Sequence, residues 1–109
     1  MSGTLSTHVL DAVTGRPAEG VALLLESADA GTWRPVGTAS TDADGRVTDV
    51  AGTLSPGRYR LTFATGDWFA AAGRETFYPE VAVTFVLGEG HHHVPLLLSP
   101  FAYSTYRGS

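Results

Sequence analysis

Between residues 59 and 65 the chain alternates strictly. Tyr59, Leu61, Phe63 and Thr65 fall on one side, and Arg60, Thr62 and Ala64 on the other. A period of two belongs to a strand with one buried face. Val81, Val83, Phe85 and Leu87 repeat the pattern, and Ser6–Leu10 and Phe101–Thr105 have strand composition. Turn signals separate these runs: Thr14-Gly15-Arg16-Pro17, Asp29-Ala30-Gly31, Asp42-Ala43-Asp44-Gly45, Ser55-Pro56-Gly57 and Gly88-Glu89-Gly90. Many short strands at such spacing predict an all-β sandwich or barrel. One stretch breaks the rhythm. Gly66-Asp67-Trp68-Phe69-Ala70-Ala71-Ala72-Gly73 predicts a short helix, with Asp67 as its N-cap and Gly73 as its end. With no repeat, linker or low-complexity tract, residues 1–109 form one domain.

Two runs resist the one-sided pattern. Val21–Leu25 and Val94–Leu98 are apolar at consecutive positions, so both faces of each strand seek cover. A two-sheet sandwich covers only one. A subunit interface is the expected cover for the other, since so short a chain has little loop to spare.

Composition narrows the function. A net charge of −4 without a basic stripe argues against nucleic acid. No segment approaches the apolar length of a membrane-spanning helix. The absence of cysteine excludes thiol catalysis and disulfides. The N-terminal residues lack the pattern of a secretory signal, so a cytoplasmic protein is expected.

Candidate chemistry rests on scarce residues. Three of the four histidines are consecutive, His91-His92-His93; on a strand, His91 and His93 share one face and His92 takes the other. The fourth, His8, lies in the first predicted strand. Neutral imidazole suits proton transfer near neutral pH. A second reading, a zinc site from His-x-His and a distant histidine, lacks a cysteine or an acidic residue at ligand spacing. Arg46 follows a tight turn, where its planar fork can hold a carboxylate or an oxyanion. Tyr106-Arg107-Gly108-Ser109 follows a strand-like run and is expected to enter a packed site. No Gly-x-Ser-x-Gly elbow or phosphate-cradling loop is present.

These motifs together resemble the 5-hydroxyisourate hydrolases of the transthyretin-like protein family. The resemblance runs through Ser6-Thr7-His8-Val9-Leu10-Asp11, Gly15-Arg16-Pro17-Ala18, Asp44-Gly45-Arg46, Tyr59–Phe69 and Phe77–Val81. It closes with His91–Pro100 and Tyr103–Ser109, and so covers nearly the whole chain. It implies a transthyretin-like (prealbumin-like) sandwich of about eight strands in two four-stranded sheets with one short helix. It also implies a homotetramer, a dimer of dimers with active sites in the channel between dimers. The implied activity is hydrolysis of 5-hydroxyisourate to 2-oxo-4-hydroxy-4-carboxy-5-ureidoimidazoline in urate breakdown, without metal or cofactor. The implied catalytic residues are His8, His93 and Arg46. His8, Arg46, Tyr106, His91, Arg107 and Ser109 would bind substrate. His92 stands where the family often has tyrosine, and Trp68 where it usually has tyrosine. Transthyretin itself shares the fold and carries hormones, so a small-molecule binding module is the alternative.

Overall fold

The structure, a computed structural model, describes residues 2–109. Its elements in chain order are β1 (Gly3–Asp11), β2 (Arg16–Pro17), β3 (Ala22–Asp29), β4 (Thr32–Ser40) and β5 (Arg46–Val47). There follow β6 (Gly57–Phe63), α1 (Thr65–Ala71), β7 (Val81–Leu87), β8 (Gly90–Ser99) and β9 (Ala102–Thr105). They form two sheets. One has the order β2-β1-β8-β9, with β5 also paired to β1; the other has the order β4-β3-β6-β7. The architecture is the transthyretin-like sandwich expected from the sequence. The first sheet gains a fifth member because the two-residue β2 pairs with the end of β1 through Leu10↔Pro17 and Asp11↔Arg16.

The core lies between the sheets and follows the alternation. Leu5 and Val9 of β1, Leu23 and Leu25 of β3, Leu61 and Phe63 of β6, and Leu96 and Leu98 of β8 are buried and point inward. Burying each such side chain contributes about 1.5–3 kcal/mol. On β7, Val81 and Leu87 are buried and Val83 and Phe85 pack against the core, while Ala82, Thr84 and Val86 face out.

The helix differs from its sequence reading. It spans Thr65–Ala71 instead of residues 66–73, and β6 ends at Phe63, so Thr65 belongs to the helix. Asp67 lies in the first turn, while the N-cap is Ala64 and makes no side-chain capping bond. The reason is tertiary. Thr65 is fully buried, its Oγ1 donating to the Tyr78 carbonyl at 3.3 Å, and the Gly66 N–H donates to the Pro79 carbonyl at 2.9 Å. These bonds hold the start of the helix in place of a side-chain cap. Trp68 ties α1 to the strands, its Nε1 donating to the Glu19 carbonyl at 2.7 Å.

The decisive topological feature is the pairing of β1 with β8. The two run parallel along their length, with Thr4↔His91, Ser6↔His93, His8↔Pro95 and Leu10↔Leu97 in register. Residues almost a whole chain apart in sequence become nearest neighbours. Parallel partners in register point to the same side. Thr4, Ser6, His8 and Leu10 therefore share the outer face of this sheet with His91, His93, Pro95 and Leu97.

Candidate active site

The polar half of that outer face is the candidate site. Thr4, Ser6 and His8 occupy alternate positions of β1 because Leu5, Thr7 and Val9 are drawn into the core. Thr7 satisfies its buried hydroxyl by donating to the Val94 carbonyl at 2.6 Å, which fixes β1 against β8. The strand period then leaves the imidazoles of His91 and His93 next to Thr4 and Ser6.

Arg46 arrives from the third direction. The Asp42 carboxylate accepts the backbone N–H groups of Asp44 and Arg46, both at 2.9 Å, and the Gly45 N–H closes the turn on the Asp42 carbonyl at 2.9 Å. Gly45 has φ +73°, and a Cβ there would collide with the Val9 carbonyl and crowd Ala18 and Pro17. Only glycine supplies that conformation at that distance. The close approach allows Val9 N–H to donate to the Gly45 carbonyl at 2.7 Å, and it sets Arg46 in register with His8. The turn thus delivers an exposed guanidinium to the edge of the histidine face. The three ion pairs among the described residues, Arg34–Asp29, Arg60–Glu26 and Arg74–Asp11, leave Arg46 out.

The segment after β9 completes the enclosure. The Gly108 N–H donates to the His93 carbonyl at 2.9 Å in an isolated antiparallel bridge. A side chain at position 108 has no room, since a Cβ would lie 2.5 Å from His93 Cδ2. Gly108 therefore lies directly against the imidazole, and Ser109 reaches the pocket beyond it. The resulting cavity of about 330 Å³ is lined by Ser6, Thr7, Arg46, Val47, Thr48, His91, His93 and Ser109.

Hydrogen bonds orient the two imidazoles. The Ser6 hydroxyl lies 2.8 Å from His91 Nε2 and 2.8 Å from His93 Nδ1, and Thr4 Oγ1 lies 2.7 Å from His91 Nδ1. His93 titrates below the usual imidazole range. Burial is the main cause, followed by the charge of Arg46 and then by His8 and His91. It is therefore neutral at neutral pH, with Nε2 left over for chemistry.

The sequence candidates divide on this map. Arg46, His91, His93 and Ser109 line one pocket, and half-buried His8 stands beside it, opposite Arg46. Tyr106 and Arg107 do not line it. They face an adjoining cavity of about 630 Å³ with Val83, Phe85, Val86, His92 and Thr105, and His93 borders both cavities. In the single chain Tyr106 and Arg107 thus stand apart from the His91–His93 pocket that they are expected to close. The bridge at Gly108 turns Ser109 toward that pocket, while the two residues before it stay on the β7 side. His92 faces away from its neighbours, as alternation requires. Its Nε2 accepts the Gly88 N–H at 3.2 Å and its Nδ1 lies 3.1 Å from the Gly90 carbonyl, which ties it to the β7–β8 turn. Ser6 and Thr4 were missed as site residues. Their alternation with His8 was a usable signal, but the parallel partner that gives it meaning was not visible.

A transthyretin-like sandwich with imidazoles and a guanidinium gathered on its outer face defines the class of protein. The profile of the HIUase/Transthyretin family matches residues 5–108, and the chain belongs to that family. The 5-hydroxyisourate hydrolase of Caulobacter vibrioides is 46% identical over 116 residues, with 100% of each chain covered. The structure of Klebsiella pneumoniae 5-hydroxyisourate hydrolase superposes with a TM-score of 0.91 at 45% identity, covering 98% of this chain and 99% of that one. Sea bream transthyretin in complex with thyroxine also superposes with a TM-score of 0.91, at 35% identity, over 95% of this chain and 93% of that one.

Proposed function

We propose that this single-domain chain hydrolyses 5-hydroxyisourate to 2-oxo-4-hydroxy-4-carboxy-5-ureidoimidazoline, with His8 and His93 as the proton-transfer pair and Arg46 as the oxyanion and substrate anchor. The observation that carries the reading is the convergence of Arg46, His91 and His93 on one pocket. A purely structural β-domain has no use for a charged guanidinium beside two hydrogen-bonded imidazoles. The reaction adds water to a ring carbonyl and breaks the adjacent C–N bond. It needs a base for the water, an acid for the leaving nitrogen and positive charge for the tetrahedral oxyanion. His93 and its neighbour His8 handle these proton transfers as a pair, and Arg46 supplies the positive charge. Acid–base assistance of this kind is worth roughly 10²–10⁴ in rate. His91 and Ser109 line the bound substrate, and Tyr106 and Arg107 reach it from the adjoining cavity.

No metal or cofactor enters this scheme. Among the described residues no group of three or more His, Asp or Glu side chains is arranged to hold a metal ion. The proposed assembly is a homotetramer, a dimer of dimers in the cytoplasm. It is supported by outward-facing Leu10 and Leu97 and by exposed Val86 and Phe101, at 76% and 64%. No helix among the described residues is long and apolar enough to cross a membrane.

The likeness to a thyroxine-bound transthyretin favours a second reading, a carrier that binds a small molecule without altering it. One assay separates the two. Freshly prepared 5-hydroxyisourate should lose its ultraviolet absorbance faster with the protein present, with and without EDTA, and His8→Ala should slow the loss. Binding without turnover would establish the carrier reading. Activity abolished by EDTA and restored by zinc would establish a metal enzyme. Light scattering at a monomer's mass would remove the tetramer.

A further inference from the structure

The outer face carries a line of hydrogen bonds that the hydrolytic scheme leaves unused. It runs from Thr4 Oγ1 to His91 Nδ1 at 2.7 Å, from His91 Nε2 to Ser6 Oγ at 2.8 Å, and from Ser6 Oγ to His93 Nδ1 at 2.8 Å. Both nitrogens of His91 are engaged, and one hydroxyl is shared between two imidazoles. A serine hydroxyl has a single proton to donate, and a neutral imidazole has a single N–H. Those two limits, with the two lone pairs of a hydroxyl oxygen, leave three arrangements in which every contact is a hydrogen bond.

In the first, His93 Nδ1–H donates to Ser6, Ser6 donates to His91 Nε2, and His91 Nδ1–H donates to Thr4. His93 Nε2 then presents a lone pair to the pocket. In the second, every donor is reversed. Thr4 donates to His91 Nδ1, His91 Nε2–H to Ser6 and Ser6 to His93 Nδ1, so that His93 Nε2 carries the proton. In the third, His91 Nε2–H and His93 Nδ1–H both donate to Ser6, whose own proton then has no partner among the hydrogen bonds of the described residues, so the first two are preferred. Between those two the line switches as a unit. Arg46, which lines the same pocket, has only N–H donors to offer and favours the lone pair, and hence the first arrangement at rest.

We propose that Ser6 is a positioning residue for His93, and that Thr4, His91 and Ser6 form a proton relay joining His93 to solvent. The proposal rests on the hydrolytic reading given above. It balances as follows. His93 Nε2 takes a proton from the attacking water, and the Nδ1 proton passes to Ser6. The Ser6 proton passes to His91 Nε2, the His91 Nδ1 proton to Thr4, and the Thr4 proton to bulk water. His93 is again neutral and now holds an Nε2–H, which it donates to the leaving nitrogen as the C–N bond breaks. The relay then runs backward and draws a replacement proton from solvent. The second proton of the water leaves when the product carboxyl ionises. One imidazole thereby acts first as base and then as acid without remaining charged beside Arg46. The outer end is open for this traffic, since His91 is exposed and Thr4 half-buried, whereas Ser6 at the inner end is buried.

The test uses wild type, Ser6→Ala, Ser6→Thr and Thr4→Val, with the histidines labelled with ¹⁵N. Ser6→Ala should lower kcat by about tenfold or more while KM stays within about threefold, and Ser6→Thr should restore most of the loss. Thr4→Val, which keeps the shape and cuts the outer link, should lower kcat by about threefold at unchanged KM. Nitrogen chemical shifts should show His93 Nδ1 protonated and Nε2 unprotonated in wild type, and the two averaged in Ser6→Ala. Identical His93 nitrogen shifts in wild type and Ser6→Ala would overturn the proposal, as would a kcat loss that threonine does not restore. If wild type fails to consume 5-hydroxyisourate, the hydrolytic reading falls, while the nitrogen shifts still decide whether Ser6 sets the tautomer.

Discussion

Gly108→Ala perturbs the site with a single methyl group. Its Cβ would stand 2.5 Å from His93 Cδ2, 3.0 Å from Cγ and 3.1 Å from Cβ. Ordinary carbon contacts begin near 3.5 Å, so the two groups must part by about 1 Å. His93 gives way less readily, because its backbone is held in the long parallel pairing of β8 with β1 through Ser6↔His93. Residues 108 and 109 belong to no strand and are held by one bridge, so they move. The stability lost is that of the Gly108–His93 hydrogen bond, about 0.5–1.5 kcal/mol. For a domain of this size that corresponds to a drop in Tm of about 2–10 °C. The effect on turnover should be larger in proportion. Ser109 retreats from the pocket by about 1 Å, and a displacement of that size can cost up to about 10² in rate. The assay is kcat and KM for 5-hydroxyisourate by ultraviolet decay, with thermal unfolding followed by circular dichroism on the same samples. Gly57→Ala is the control, since its Cβ would meet nothing nearer than Tyr59 Cε1 at 4.0 Å. Wild-type kcat/KM in Gly108→Ala would show that this segment does not shape the pocket, whatever the change in Tm.

The remaining predictions concern charge. Arg46→Ala should reduce kcat/KM by about 10² or more, as expected for loss of oxyanion stabilisation. The same change removes one of the causes that hold His93 low, so an NMR titration should show the His93 pKa moving up. Because that pKa is depressed, His93 stays unprotonated as pH falls below the usual imidazole value of about 6.5. The acid limb of kcat/KM should accordingly lie below that pH in wild type and shift upward in Arg46→Ala; a limb unmoved by the substitution would remove His93 as the titrating base. Asp11 gives the stability counterpart. Burial alone would raise its pKa, but Arg74 at 2.6 Å and the N–H groups of Thr14 and Val13 outweigh that and hold it below the ordinary carboxylate value of about 3.9. Its contribution is complete above that value and disappears as pH falls through the lower, folded-state value. Asp11→Asn should therefore cost about 3 kcal/mol in urea unfolding at pH 7 and less at pH 3, and an equal loss at both would refute the pairing.

Much of this protein was legible in order and little of it in space. Alternation at 59–63 and 81–87 gave two strands and their buried faces, since the side-chain period of a strand is local. The helix starts one residue before the segment its local pattern marks and lacks the side-chain cap expected at Asp67, because its start is held by Tyr78 and Pro79, which are distant in sequence. The outer faces of Val21–Leu25 and Val94–Leu98 diverge in the structure. Ala22 and Leu24 line an open groove with Thr38, Thr62 and Pro79, while Pro95 and Leu97 continue the histidine face.

The same division governs the site. Local sequence determined that His91 and His93 share a face, that His92 opposes them and that a tight turn ends at Arg46, because strand period and turn chemistry need no distant partner. Only the tertiary fold decided that Ser6 lies between the two imidazoles, that His8 meets Arg46 and that Gly108 rests on His93. It also decided that Tyr106 and Arg107 lie on the far side of that histidine. Each depends on strand pairing between remote segments, and pairing is chosen by how the whole core buries its apolar faces, which no short window of residues contains.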